Sequence, residues 1–122
     1  MDTNLYLGIE LGSTRIKSVL IDDGFEPVAV GNSNWENRFE GGVWTYTLDD
    51  IWQGLQKSYK AMAQDYEARH GTALKTVTSM GISGMMHGYL PLDSGGKLLT
   101  QFRTWRIPVP KRHRIYSRHC LG

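Results

Sequence analysis

Residues 8–17 read Gly8-Ile9-Glu10-Leu11-Gly12-Ser13-Thr14-Arg15-Ile16-Lys17. A carboxylate closes an apolar run, a turn of Gly, Ser and Thr follows, and a second strand-like run carrying a lysine starts at once. Glycines let the backbone approach a ligand closely, and the hydroxyls and amides of such a turn can wrap phosphate oxygens. Glu10 stands where it could hold a hydrated Mg²⁺, which takes one or two carboxylates and fills its remaining positions with water and phosphate. Lys17 adds a nearby positive charge. The same pattern also suits an ordinary hairpin with a polar tip, because short Gly-rich patterns recur by chance. A second group, Met85-Met86-His87-Gly88, ends another apolar run. Its imidazole can bond a ligand or rest in a core against a backbone carbonyl. His70, His113 and His119 show no ligand spacing with a cysteine or carboxylate, so no zinc site is expected.

The elements that must carry these groups follow from periodicity and punctuation. Residues 5–10, 16–22 and 27–33 read as three strands, and Asp22-Asp23-Gly24 makes the second and third antiparallel. Ile16, Ser18 and Leu20 alternate with Lys17, Val19 and Ile21, an apolar bias on both faces that predicts cover on both sides of a sheet. Residues 34–46 read as irregular, with Gly41-Gly42 among Trp35, Trp44 and Tyr46. A helix should start after Thr47, capped with Asp50 three residues on and favoured by Asp49, and stop at Gly71. Leu48, Ile51, Trp52, Leu55, Tyr59, Met62, Ala63 and Tyr66 recur at helical spacing and are expected to pack in the core. A fourth strand over Val77–Ile82, a short fifth over Tyr89–Leu92 and a turn at 93–97 complete the pattern. A helix between the third and fourth strands can return the chain to a parallel position, which makes the fold an α/β mixed sheet with a flanking helix.

A chain of 122 residues is one modest domain, small for a complete enzyme acting on two substrates. No apolar run reaches membrane-spanning length, the N-terminus lacks the signature of a signal peptide, and the single Cys120 fits a reducing, cytoplasmic setting. The net charge of +2 is uneven: residues 1–106 carry ten Lys/Arg against twelve Asp/Glu. Residues 107–122 carry Lys111, Arg112, Arg114 and Arg118 with no acid. This basic tail reads as a solvated end. Were it instead to contact nucleic acid, binding would be salt-sensitive and lost with residues 107–122.

Three segments together resemble the N-terminal domain of FGGY carbohydrate kinases, the family of xylulokinase, glycerol kinase and ribulokinase. They are the Gly8–Lys17 hairpin, the run Met80-Gly81-Ile82-Ser83-Gly84-Met85-Met86-His87-Gly88, and the stretch from Leu92-Asp93 to Trp105-Arg106. Their order and spacing agree over residues 5–106. The resemblance implies a ribonuclease H-like half-domain, as in actin-like ATPases and sugar kinases, and transfer of the ATP γ-phosphoryl group to a sugar hydroxyl, a pentulose such as xylulose being favoured. It implies that Gly12, Ser13, Thr14 and Arg15 line the phosphates with Lys17 in support, and that Glu10 organises Mg²⁺ through water. Met86, His87, Trp105 and Arg106 would contact the sugar, with Trp105 equally able to serve as core. ATP and Mg²⁺ are the implied cofactors, sugar and ATP the implied partners. Two departures stand out: Glu10 occupies a position usually held by Asp, and Met85 one usually held by Gln. The extra methylene moves the carboxylate outward by roughly 1.5 Å.

The same resemblance puts the catalytic base, a second phosphate segment and the adenosine-binding domain outside this chain, so the 122 residues alone are expected to be inactive and open to self-association through uncovered apolar faces. Residues 1–106 are then a partial kinase domain. The tail over 107–122 has neither strand nor helix periodicity. Back-translated one base out of register, it can encode a helix start followed by apolar residues at helical spacing, as a frameshift would leave it. Nucleotide sequence beyond codon 106 tests that expectation. A non-catalytic module that holds sugar or phosphate is the competing expectation for function.

Overall fold

The computed structural model describes residues 4–36, 38–85 and 88–103. In chain order the elements are β1 (Tyr6–Leu11), β2 (Arg15–Ile21), β3 (Pro27–Asn34), β4 (Arg38–Glu40), β5 (Val43–Thr45), α1 (Leu48–His70) and β6 (Ser79–Ser83). They divide between two compact units, residues 1–37 with 47–86 and residues 38–46 with 87–122.

The first unit is built on a four-stranded sheet of order β3-β2-β1-β6. β1–β2 and β2–β3 are antiparallel, and β6 joins β1 in parallel after the helix. This is the expected α/β mixed sheet. Register places Leu7, Ile9, Ile16, Ser18, Leu20, Ala29 and Gly31 on one face, where all of them are buried. α1 lies on that face, reaching β3 and β2. Val19, Ile21, Val28 and Val30 on the opposite face are half-buried. Of the cover predicted on both sides, α1 supplies that of one face among the described residues.

α1 forms as its caps dictate. Thr47 Oγ1 accepts the Asp50 amide at 3.1 Å, and Gly71 adopts φ 71° while its amide donates to Glu67 O. The face that packs overlaps the expected stripe in part: Met62 is buried and Leu48, Ile51, Leu55, Ala63 and Tyr66 are half-buried. Gly54, Ser58 and Met62 are the buried residues of the helix, whereas Trp52 (59%) and Tyr59 (39%) are exposed. Small residues win because the helix backbone comes down almost onto the sheet. A Cβ on Gly31 would lie 2.8 Å from Met62 Cα and overlap Ser58 O and Met62 N outright. Within this contact the buried Ser18 and Ser58 hydroxyls bond each other at 2.7 Å, and Ser58 Oγ also donates to Leu55 O. Two polar groups on the packed face thus satisfy one another away from water.

α1 also closes one edge of the sheet. Asp65 Oδ2 accepts the outward Val30 amide at 2.9 Å, and His70 Nε2 lies 3.1 Å from Val28 O in donor position. Asp65 is held below the usual carboxylate range, first by the Val30 amide and then by Arg69, whose Nε donates to it at 3.1 Å. A carboxylate that gives up its proton more readily when folded stabilises the fold above its unfolded pKa and loses that contribution as pH falls through the folded one. Thermal midpoints recorded between about pH 2 and 6 should fall on acidification, and less steeply in Asp65→Asn, which keeps an acceptor oxygen but no titrating charge. Identical acid limbs for the two chains would contradict this role.

The second unit corrects two expectations. Residues 34–46 are not wholly irregular: β4 and β5 form a hairpin turned at Gly41-Gly42, with Phe39 against Trp44 at 5.4 Å between ring centroids. The expected fifth strand is reduced to isolated bridges, Tyr89 with Arg103 and Leu92 with Leu98. The 93–97 turn forms as read, its Asp93 carboxylate accepting the Gly95 and Lys97 amides. Buried Tyr46 and Phe102 pack at 5.5 Å in this unit. The strand expected from Val77 begins at Ser79, and Thr78 instead donates its amide to Leu5 O.

Candidate functional site

β1 and β2 are joined by the polar turn, and the pairing runs to its mouth, with Leu11 opposite Ile16. Gly12 N donates to Arg15 O at 2.9 Å and closes the loop. A Cβ on Gly12 would sit 2.9 Å from that same oxygen, so a larger residue would force the turn open. The Gly12 amide is thereby committed within the hairpin, and Gly12 contributes room rather than a donor. The Ser13, Thr14 and Arg15 side chains project at the exposed tip.

Trp35, just beyond β3, clamps this turn. Its indole Nε1 donates to Gly12 O at 2.7 Å and its backbone amide to Thr14 O at 3.0 Å. The residue is buried. Sequence reading missed it, because a tryptophan in an apparently irregular segment carries no sign of its partner. Two carbonyls of the turn, those of Gly12 and Thr14, are therefore held by Trp35.

Register supplies the rest. Glu10 stands opposite Lys17 on β2 and opposite Ser83 on β6, and Lys17 in turn opposite Asn32 on β3. Paired positions share a sheet face. Asn32, Lys17, Glu10 and Ser83 consequently form one polar row on the face away from α1, at the end of β1 where the turn begins. The next row inward holds Gly8 beside Gly81, with no side chain to shield the strand backbone. Ser83 and Asn32 were not singled out from sequence; the signal available was the period-two alternation, which needs the register before it names a neighbour.

The chemistry of this row suits a shared cation and anion site. Glu10 is exposed and Lys17 half-buried, so a carboxylate and an ammonium present opposite charges side by side. Among the described residues no cluster of three or more His, Cys, Asp or Glu could cage a metal. A single carboxylate beside hydroxyl donors fits a Mg²⁺ that keeps its waters and is shared with phosphate. Of the other expected site residues, Met86, His87, Trp105 and Arg106 lie outside the described residues, as does the tail over 107–122. No helix among the described residues is long and apolar enough to cross a membrane.

A sequence model of the FGGY family of carbohydrate kinases, N-terminal domain, matches residues 5–110. The chain is 26% identical over 102 residues to a xylulose kinase of Escherichia coli (strain K12), covering 83% of this chain and 20% of that protein. The xylulose kinase of Klebsiella pneumoniae gives the same identity and coverage. The chain thus spans about a fifth of the length of the curated relatives it matches. Among solved structures, a ligand-bound xylulose kinase from Lactobacillus acidophilus superposes with a TM-score of 0.70 at 20% identity, over 96% of this chain and 23% of that one. Plasmodium falciparum glycerol kinase with ADP gives a TM-score of 0.69 at 18% identity, over 98% and 23%. At these identities the structures speak for the fold alone, and they agree with the sugar-kinase, ribonuclease H-like reading of the sheet.

Proposed function

Because the chain belongs to the FGGY family of carbohydrate kinases, matching its N-terminal domain, we propose that it forms the phosphate-facing wall of an ATP-dependent sugar kinase. The observation that carries this reading is the opposition of Glu10 and Lys17 at the mouth of the clamped turn. In this proposal Ser13, Thr14 and Arg15 bond phosphate oxygens at the exposed tip, Gly12 gives them room, and Lys17 offsets their charge. Glu10 orients the waters of a Mg²⁺ ion. Mg²⁺ supplies neutralisation of charge on the transferring phosphoryl group, a transfer that depends mostly on positioning and electrostatics. Met86, His87, Trp105 and Arg106 are assigned to the sugar side. A pentulose such as xylulose is the favoured acceptor, supported by the xylulose kinases among the relatives.

Turnover is assigned to the longer architecture of the relatives, since sequestering two substrates takes more than one wall. Titrating the 122-residue chain with Mg·ATP, xylulose, ribulose and glycerol, beside an assay for ADP release, tests the reading. The expected result is weak, Mg²⁺-dependent binding of ATP with no sugar-dependent ADP release. Glu10→Gln should lower the Mg²⁺-dependent part about tenfold, the scale seen when a group acting through a metal's outer shell is lost. Glu10→Asp should retain it. Sugar-dependent turnover by this chain, or Mg²⁺-dependent binding indifferent to Glu10→Gln, would overturn the assignment.

A further inference from the structure

Trp35 is the first residue after β3, yet its backbone amide and its indole both donate to the turn between β1 and β2. The amide extends the β3–β2 ladder by one bond, to Thr14 O at 3.0 Å. The indole passes β2 and reaches Gly12 O, which follows β1, at 2.7 Å. The residue is only 8% exposed, so packing holds the ring as well as these bonds.

The peptides of the turn are trans, and in a planar trans peptide the N–H runs antiparallel to the carbonyl before it. Holding Gly12 O therefore sets the direction of the Ser13 N–H, and holding Thr14 O sets that of the Arg15 N–H. Each amide points away from the bond that anchors its own peptide. One residue, twenty-three positions along from Gly12, thus orients both peptide groups that flank the Ser13-Thr14 tip. Oriented amides act on an anion as fixed partial charges, and they bind better when they are placed before it arrives. The indole bond is not what closes the hairpin, because Gly12 N already bonds Arg15 O and pairing runs to Leu11 and Ile16. A buried indole needs some acceptor; here the acceptor is a carbonyl of the phosphate turn itself. Resting on the phosphate assignment of that turn, we infer that Trp35 is a positioning residue, whose indole N–H sets the turn for the phosphates of Mg·ATP.

Trp35→Phe keeps most of the ring and removes that donor. Its affinity for Mg·ATP, measured by calorimetry where both chains are folded, should fall about fivefold, the worth of one hydrogen bond. Ser58→Ala loses the buried bond to Ser18 on the helix side of the sheet and is the control: it should bind as the parent does. Coupling between a bond and a ligand is reciprocal, so the parent chain gives a second readout that needs no substitution. Saturation with Mg·ATP should slow solvent exchange of the Trp35 indole N–H about fivefold and leave that of the Val30 amide, bonded to Asp65, unchanged. Equal affinity of parent and Trp35→Phe, an equal loss in Ser58→Ala, or indole exchange indifferent to Mg·ATP would each overturn this role while leaving the turn a phosphate site. A parent chain that binds no Mg·ATP would overturn the phosphate assignment itself, and this role with it.

Discussion

Gly31→Ala will melt far below the parent chain. The added methyl falls on helix backbone, not on a side chain that could turn aside: Met62 Cα would be 2.8 Å away and Ser58 O closer. Overpacking a core costs about 1–3 kcal/mol where neighbours can adjust, and a rigid backbone neighbour puts this site at the upper end. At roughly 4–8 °C per kcal/mol for a domain of this size, the midpoint should drop by about 10–25 °C. Relief would require α1 to lift off β3, separating the Ser18 and Ser58 hydroxyls as well. Circular dichroism at the helix band follows the loss. A midpoint within about 2 °C of the parent would show that the helix accommodates the methyl and that the close approach is not a constraint.

Trp35 should give the second large effect. Trp35→Ala removes a buried indole and is expected to cost about 3–5 kcal/mol. Trp35→Phe keeps much of the ring volume and the backbone bond to Thr14 O, but removes the indole donor to Gly12 O. That single bond is worth about 1 kcal/mol net. The diagnostic readout is local. Amide exchange at Gly12, whose N–H is bonded to Arg15 O, should quicken in Trp35→Phe well before global unfolding contributes. Unchanged exchange at Gly12 in both variants would mean that the hairpin holds its turn unaided.

These two residues also mark where the sequence could be read and where it could not. The caps of α1 were legible because each is local: Thr47 needs only Asp50 three residues on, and Gly71 only its own left-handed backbone. The β1–β2 hairpin was legible for the same reason, while the opposition of Glu10 and Lys17 needed its register. The packed face of α1 was legible in part, through Met62. Periodicity ranks apolar side chains, so it chose Trp52 and Tyr59 along with Met62 and passed over Gly54 and Ser58, whereas the deciding contact pairs Gly31 with a helix backbone some thirty residues further along. Likewise Trp35 and Ser83 join the candidate site through strand neighbours that no local window contains. The β4–β5 hairpin was missed because its three-residue strands are too short to show alternation.

The guarded edge at β3 has a consequence for aggregation. An unpaired strand edge is a row of free main-chain donors and acceptors, ready to pair with another chain. Asp65 and His70 occupy the outward Val30 amide and Val28 carbonyl, so the β3 edge presents neither group to an incoming strand. Two side chains on the last turns of one helix therefore do at this edge what a further strand or a charged guard residue does elsewhere: they leave it no template for foreign strands.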